Sequence, residues 1–164
     1  MGDSLKKKTK VWLGVLFLSI VIIGGWFILN DKYLHSPGEF GIYLAENGDL
    51  IISDIDILSY NKEIHEIKLT KQGVEKLKGL DLYQKSFVIK LNKIEIYEGA
   101  FWSNLSSRIY EGVVILDIYL IQDGGTDSIT IEPWYPPGLF KGSEDPRLNM
   151  EIFNYFQKIG KLTQ

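Results

Sequence analysis

FGIYLAENGDLIIS, residues 40–53, sets two apolar runs on either side of Glu-Asn-Gly-Asp. Asn47-Gly48 is a strong hairpin signal, because both residues accept the positive φ that a tight two-residue turn demands. The stretch predicts two antiparallel strands, Phe40–Ala45 and Leu50–Ser53. A chain that begins its folded part this way builds its sheet from hairpins.

Reading outward, the pattern continues. HEIKLT, residues 65–70, is a third strand candidate, and Thr70 is placed to cap a short helix from Lys71 to Lys78 that ends at Gly79. Ser86–Leu91 and Ile94–Tyr97 are strands joined by a tight Asn92-Lys93 turn. Glu111 to Gln122, containing GVVILDIYLIQ, reads as one long β-rich strand, and Asp123-Gly-Gly-Thr126 turns it into Asp127–Glu132. Near the C-terminus, Leu148, Ile152, Tyr155, Phe156 and Ile159 fall on one helical stripe, with Asp145 as N-cap, Pro146 as first helical residue and Gly160 as the stop. Six or seven strands and two or three helices in irregular order predict an α+β fold, with a mostly antiparallel sheet and a C-terminal packing helix.

Ahead of this head lies a segment of another kind. Val11 to Leu29, VWLGVLFLSIVIIGGWFIL, contains no charge, and Ser19 is its only polar residue. As a helix it would be about 29 Å long, close to the roughly 30 Å hydrocarbon core of a bilayer. Thirteen of its residues are Leu, Ile, Val or Phe; together they favour insertion by about 4 to 8 kcal/mol. The segment is therefore expected to be a transmembrane helix. Lys6, Lys7, Lys8 and Lys10 precede it, so the N-terminus is expected in the cytoplasm and the head outside. The domain reading is a basic N-terminus at 1–10, a membrane anchor at 11–29, a stalk at 30–39 and an extracytoplasmic head at 40–164. The rival reading is a secretory signal whose removal would release a soluble protein; the long apolar run and the absence of a small-x-small end speak against it.

Charge and composition narrow the functional classes. The net charge of −3 divides into +3 before the apolar run and −6 after it. An acidic head is a poor nucleic-acid binder. Without cysteine there is no disulfide, thiol catalysis or Fe–S cluster, and two isolated histidines make a poor zinc site. No cofactor and no metal are expected.

The candidate sites are few. Asp123 to Asp127 has closely spaced carboxylates but lacks the full calcium-loop pattern, and reads as a turn. Ser59 and Lys62 have S-x-x-K spacing in a polar run without the partner motifs that chemistry needs. Asp54, Asp56, Glu63 and Glu66 could supply an acid–base pair, but read as a solvated acidic face, with His65 exposed among them. Asn104-Leu-Ser106 is an N-glycosylation sequon. The aromatics stand out: Phe101-Trp102 after Gly99-Ala100, and Trp134-Tyr135 before Pro136-Pro137-Gly138. Aromatic and proline-rich loops form platforms for peptides and sugars, so Phe101, Trp102, Trp134 and Tyr135 are the expected contact residues.

Asp54 to Leu80, DIDILSYNKEIHEIKLTKQGVEKLKGL, resembles part of the extracytoplasmic head of SecD-type protein-export subunits, in which a D-I segment also leads into an x-I-x-L-T strand and a Gly-containing amphipathic helix. The resemblance spans 27 residues and implies a related α+β head module of a prokaryotic membrane protein. It implies no motor or channel activity, since SecD-type subunits have several membrane spans and this chain has one candidate.

The expectation is a single-pass protein of the cell membrane whose head binds rather than catalyses. Its partners are expected to be the bilayer, through residues 11–29, and another membrane or export complex. The alternative is a cell-envelope hydrolase using carboxylates.

Overall fold

The computed structural model describes residues 39–138 and 144–164. The expected anchor at Val11–Leu29 lies outside them. No helix among the described residues is long and apolar enough to cross a membrane.

The 40–53 hairpin forms as expected. Strands β1 (Phe40–Leu44) and β2 (Leu50–Ser53) pair antiparallel, and Gly48 at the turn has a φ of 76°. A one-turn 3₁₀ helix, Asp54–Asp56, leads into β3 (Ile57–Asn61), which pairs antiparallel with β4 (Glu66–Leu69). Helix α1 (Lys71–Leu77) opens on the Thr70 cap, whose Oγ1 accepts from the Gly73 N–H at 3.1 Å. Strands β5 (Ser86–Leu91) and β6 (Ile94–Phe101) make the second expected hairpin, with Asn92 and Lys93 both at positive φ. Then follow β7 (Val113–Leu116), α2 (Ile118–Gln122), β8 (Ser128–Glu132), α3 (Met150–Lys158) and a two-residue β9 (Leu162–Thr163).

The strands form one sheet in the order β2-β1-β5-β6-β7-β8-β4-β3-β9. All pairings are antiparallel except β6 with β7 and β3 with β9. The α+β class, the mostly antiparallel sheet and the C-terminal helix agree with the sequence reading.

Alternation along the strands sends side chains to two faces. Val113 and Ile115 join the main core, together with Phe87, Ile89, Ile129 and Ile131. Val114 and Leu116 point the other way, into a smaller cluster with Ala100, Trp102 and Tyr135. Helix α3 covers the main core with Ile152, Phe153, Tyr155 and Phe156. The Phe156 ring meets Phe40 edge-on at 4.9 Å and Tyr60 at 5.2 Å. Each fully buried aromatic or aliphatic side chain contributes about 1.5–3 kcal/mol.

Three element boundaries depart from expectation. Strand β6, expected to end at Tyr97, runs on to Phe101. Glu111–Gln122 is not one strand: β7 stops at Leu116, Asp117 takes a left-handed φ of 72°, and α2 begins. The segment Asp123–Thr126 therefore joins a helix, rather than a strand, to β8. Helix α3 does not start at Asp145 and Pro146. Its cap is Asn149, whose side-chain oxygen accepts from the N–H groups of Glu151 and Ile152, and Leu148 is exposed. Asp145 instead binds Arg147, with Nη2 to Oδ2 at 2.7 Å.

The sheet also has two distinct ends. The chain enters β1 at Glu39, whose carbonyl accepts from the Asn92 N–H at the β5–β6 turn. The C-termini of β6 and β7 lie at the opposite end.

Candidate binding cavity at the aromatic end of the sheet

Strands β6 and β7 run parallel, with Gly99 opposite Val113 and Phe101 opposite Ile115. Their C-terminal ends therefore release two chain segments at the same place. Gly99 permits this close approach, since a Cβ there would lie 2.2 Å from the Val113 carbonyl oxygen. After β6 the chain continues as the loop 102–112. After β7 the left-handed Asp117 swings it into α2. At the end of α2 the Gln122 amide donates to the carbonyls of Leu77 and Leu80, at 3.0 and 2.6 Å, which pins α2 to the end of α1.

Between these segments is a cavity of about 610 Å³. Leu80, Leu82, Phe101, Trp102 and Ile118 form its apolar wall; Tyr83, Leu105 and Tyr119 bring more apolar surface, and Asp81, Ser103, Ser106 and Gln122 bring polar groups. Its volume and mixed lining match small-molecule sites, which run from about 300 to 1,000 Å³.

Trp102 is the hub. Its main-chain N–H donates to the Ile115 carbonyl at 2.9 Å, extending the parallel pairing by one residue. Its ring lies 5.7 Å from Tyr83, 5.2 Å from Tyr110 and 6.3 Å from Tyr135. Its indole Nε1 is buried without a hydrogen-bond partner. Tyr135 fixes the loop from behind: its hydroxyl donates to the carbonyls of Asn104 and Ser106, at 2.9 and 3.0 Å, and its backbone exchanges two hydrogen bonds with Tyr110. The Asn104 amide of the sequon donates to the Asp117 carboxylate. Burial, with the negative Glu98 nearby, raises the Tyr110 phenol above its ordinary pKa.

The four residues singled out from sequence thus have different places. Phe101 and Trp102 line the cavity, although only 1% and 8% exposed. Tyr135 supports the loop. Trp134 is half-buried and lies outside the lining. Sequence reading passed over Tyr83 and Leu105, which are 49% and 80% exposed. Tyr83 carries no motif and Leu105 is only the variable residue of the sequon; the convergence of the segments marks them.

Of the acidic candidates Glu63 is exposed as expected and Glu66 half-buried, but Asp54 and Asp56 are corrected. Asp54, Asp56 and His65 are buried and make no solvated face. Asp56 Oδ2 accepts from the Ser53 N–H at 2.9 Å, the Ser53 hydroxyl at 2.7 Å and the Lys76 ammonium at 2.7 Å. Burial pushes its carboxyl up, but the hydrogen bonds from Lys76 and Ser53 outweigh that and hold it below the ordinary value. Asp54 Oδ2 accepts from the Tyr155 hydroxyl. These groups tie the 3₁₀ turn to α1 and α3. His65 Nδ1 lies 2.8 Å from the Tyr60 hydroxyl, and its pKa is lowered by burial and by Arg147. Among the described residues, no group of three or more His, Asp or Glu side chains is placed to hold a metal ion.

No family model, curated protein or solved structure matches the chain.

Proposed function

We propose that the chain is a membrane-tethered binding module: Val11–Leu29 anchors it, the four lysines keep its N-terminus in the cytoplasm, and the head, placed outside, binds through the cavity at the end of β6 and β7. One observation carries the binding reading: Phe101 and Trp102, two of the four residues expected to make contacts, line a cavity of about 610 Å³ whose rim includes the half-exposed Tyr83. Aromatic rings at such a rim supply large contact area with little side-chain freedom to lose. The tether would raise the local concentration of the head for partners in the same membrane, among them the membrane or export complexes expected from sequence.

The test is capture from intact cells. The full chain, tagged at its C-terminus, is crosslinked and recovered from the membrane fraction, alongside Tyr83→Ala and Trp134→Ala variants. Tyr83→Ala is expected to cut recovery of the crosslinked partner at least fivefold while Trp134→Ala leaves it unchanged. Equal recovery with Tyr83→Ala overturns the cavity as the binding site, and recovery of the protein from the medium overturns the anchor.

A further inference from the structure

The cavity lining contains one charged side chain, Asp81. Asp81 is exposed and makes no salt bridge among the described residues. The basic residues nearest in sequence are not in the lining. Lys78 is bound to Glu75 at 2.8 Å and Lys85 to Glu46 at 2.9 Å, although Lys85 also feels the Asp81 carboxylate; Arg108, in the loop 102–112, is not part of the lining. The aromatic residues Tyr83, Trp102 and Tyr119 complete the setting. A ring offers its negative face to a cation and its body to apolar surface. The head as a whole is acidic, which repels anions and attracts cations before contact.

We infer that the cavity takes a small organic cation: an ammonium group held near Asp81, on an apolar body that fills the space between Leu82, Trp102 and Ile118. This rests on the reading of the cavity as the binding site, and adds the charge of its occupant. An anion of the same shape meets one carboxylate and no cation within the lining. A neutral analogue gains the apolar contact and forgoes the charge.

The test uses three probes of one shape on the full chain in phosphatidylcholine nanodiscs, with empty nanodiscs as blank: 2-phenylethylammonium, 2-phenylethanol and phenylacetate, followed by saturation-transfer NMR. The cation is expected to bind about fivefold more tightly than the alcohol, the size of effect expected from a partly solvated charge pair, and phenylacetate most weakly. The advantage should shrink as salt is added. Asp81→Asn should bring the cation down to the level of the alcohol and leave the alcohol unchanged. Tyr83→Ala should weaken both. If cation and alcohol bind alike and both weaken in Tyr83→Ala, the charge inference falls and the cavity reading stands. If binding of both is indifferent to Tyr83→Ala, the cavity reading falls with it. Phenylacetate binding as tightly as the cation, or no probe binding at all, overturns the inference.

Discussion

Asp56 shows how much a single side chain can fasten. Three donors converge on one of its oxygens, and its main-chain carbonyl accepts from the Thr70 N–H as well. Gly73 lies so close that an added Cβ would sit 2.5 Å from that carbonyl oxygen. Asp56→Asn keeps the shape and removes the charge. It is expected to cost about 2 kcal/mol, less than for a fully buried pair because Lys76 reaches water when released; urea unfolding at pH 7 measures this. The Asp56 pKa is depressed in the fold, so its contribution is present above its unfolded value, about 3.9, and is lost as pH falls through the folded value. None of this was legible in the sequence. Lys76 is 20 positions from Asp56, and Tyr155 is 101 positions from Asp54. A carboxylate whose partner is that distant looks like any other surface acid. His65 is hidden in a related way: Tyr60 is only five positions away, but Phe153, which covers the ring, joins it only in the folded chain.

The hairpins were legible at the scale of elements because their turns are chemical. Gly48 in the first turn, and Asn92 and Lys93 in the second, carry the positive φ that closes each pair. The break at Asp117 was not. VVILDIYLIQ is apolar on both sides of Asp117, and a short apolar run does not distinguish a buried strand from a buried helix. One left-handed residue divides it, and that division makes the cavity, since α2 supplies Ile118, Tyr119 and Gln122. β3 and β9 were also missed, one being half polar and the other two residues long. For α3 the stripe was read correctly at Ile152, Tyr155 and Phe156, but the start was set too early. Asp145-Pro146 has the look of a helix start, while the hydrogen bonds that cap the helix come from Asn149. Asn149→Ala is therefore expected to lower the unfolding free energy by about 1 kcal/mol, read as a fall in the urea midpoint at unchanged slope.

Over the whole molecule, pH acts through a partly buried polar cluster around His65. His65 contacts Tyr60 and Phe153 and feels Arg147 and Asp145. Arg147 in turn donates to the Ile131 carbonyl at 2.7 Å and lies 3.5 Å from Glu132. The His65 pKa is lowered in the fold, so its contribution is complete above the ordinary value of about 6.5 and is lost as pH falls from there through the folded value. Glu132 works in the opposite sense: burial raises its pKa, so its contribution is present in acid and is lost as pH rises through the folded value. Subtracting a variant isolates the histidine. Between pH 7 and 5 the urea midpoint of the wild type is expected to fall further than that of His65→Asn, which accepts the same left-handed backbone and does not titrate there. Parallel profiles would assign the acid sensitivity elsewhere.

The two ends of the sheet have a mechanical consequence. The chain enters at Glu39, and the cavity lies at the other end of β6, whose eight residues span about 23 Å. A pull between Glu39 and an occupant of the cavity runs along β1, β5 and β6. Their mutual hydrogen bonds lie across that line, so the load shears the pairs and does not unzip them one bond at a time. A head loaded this way resists force with whole ladders at once, the arrangement suited to holding an object under tension.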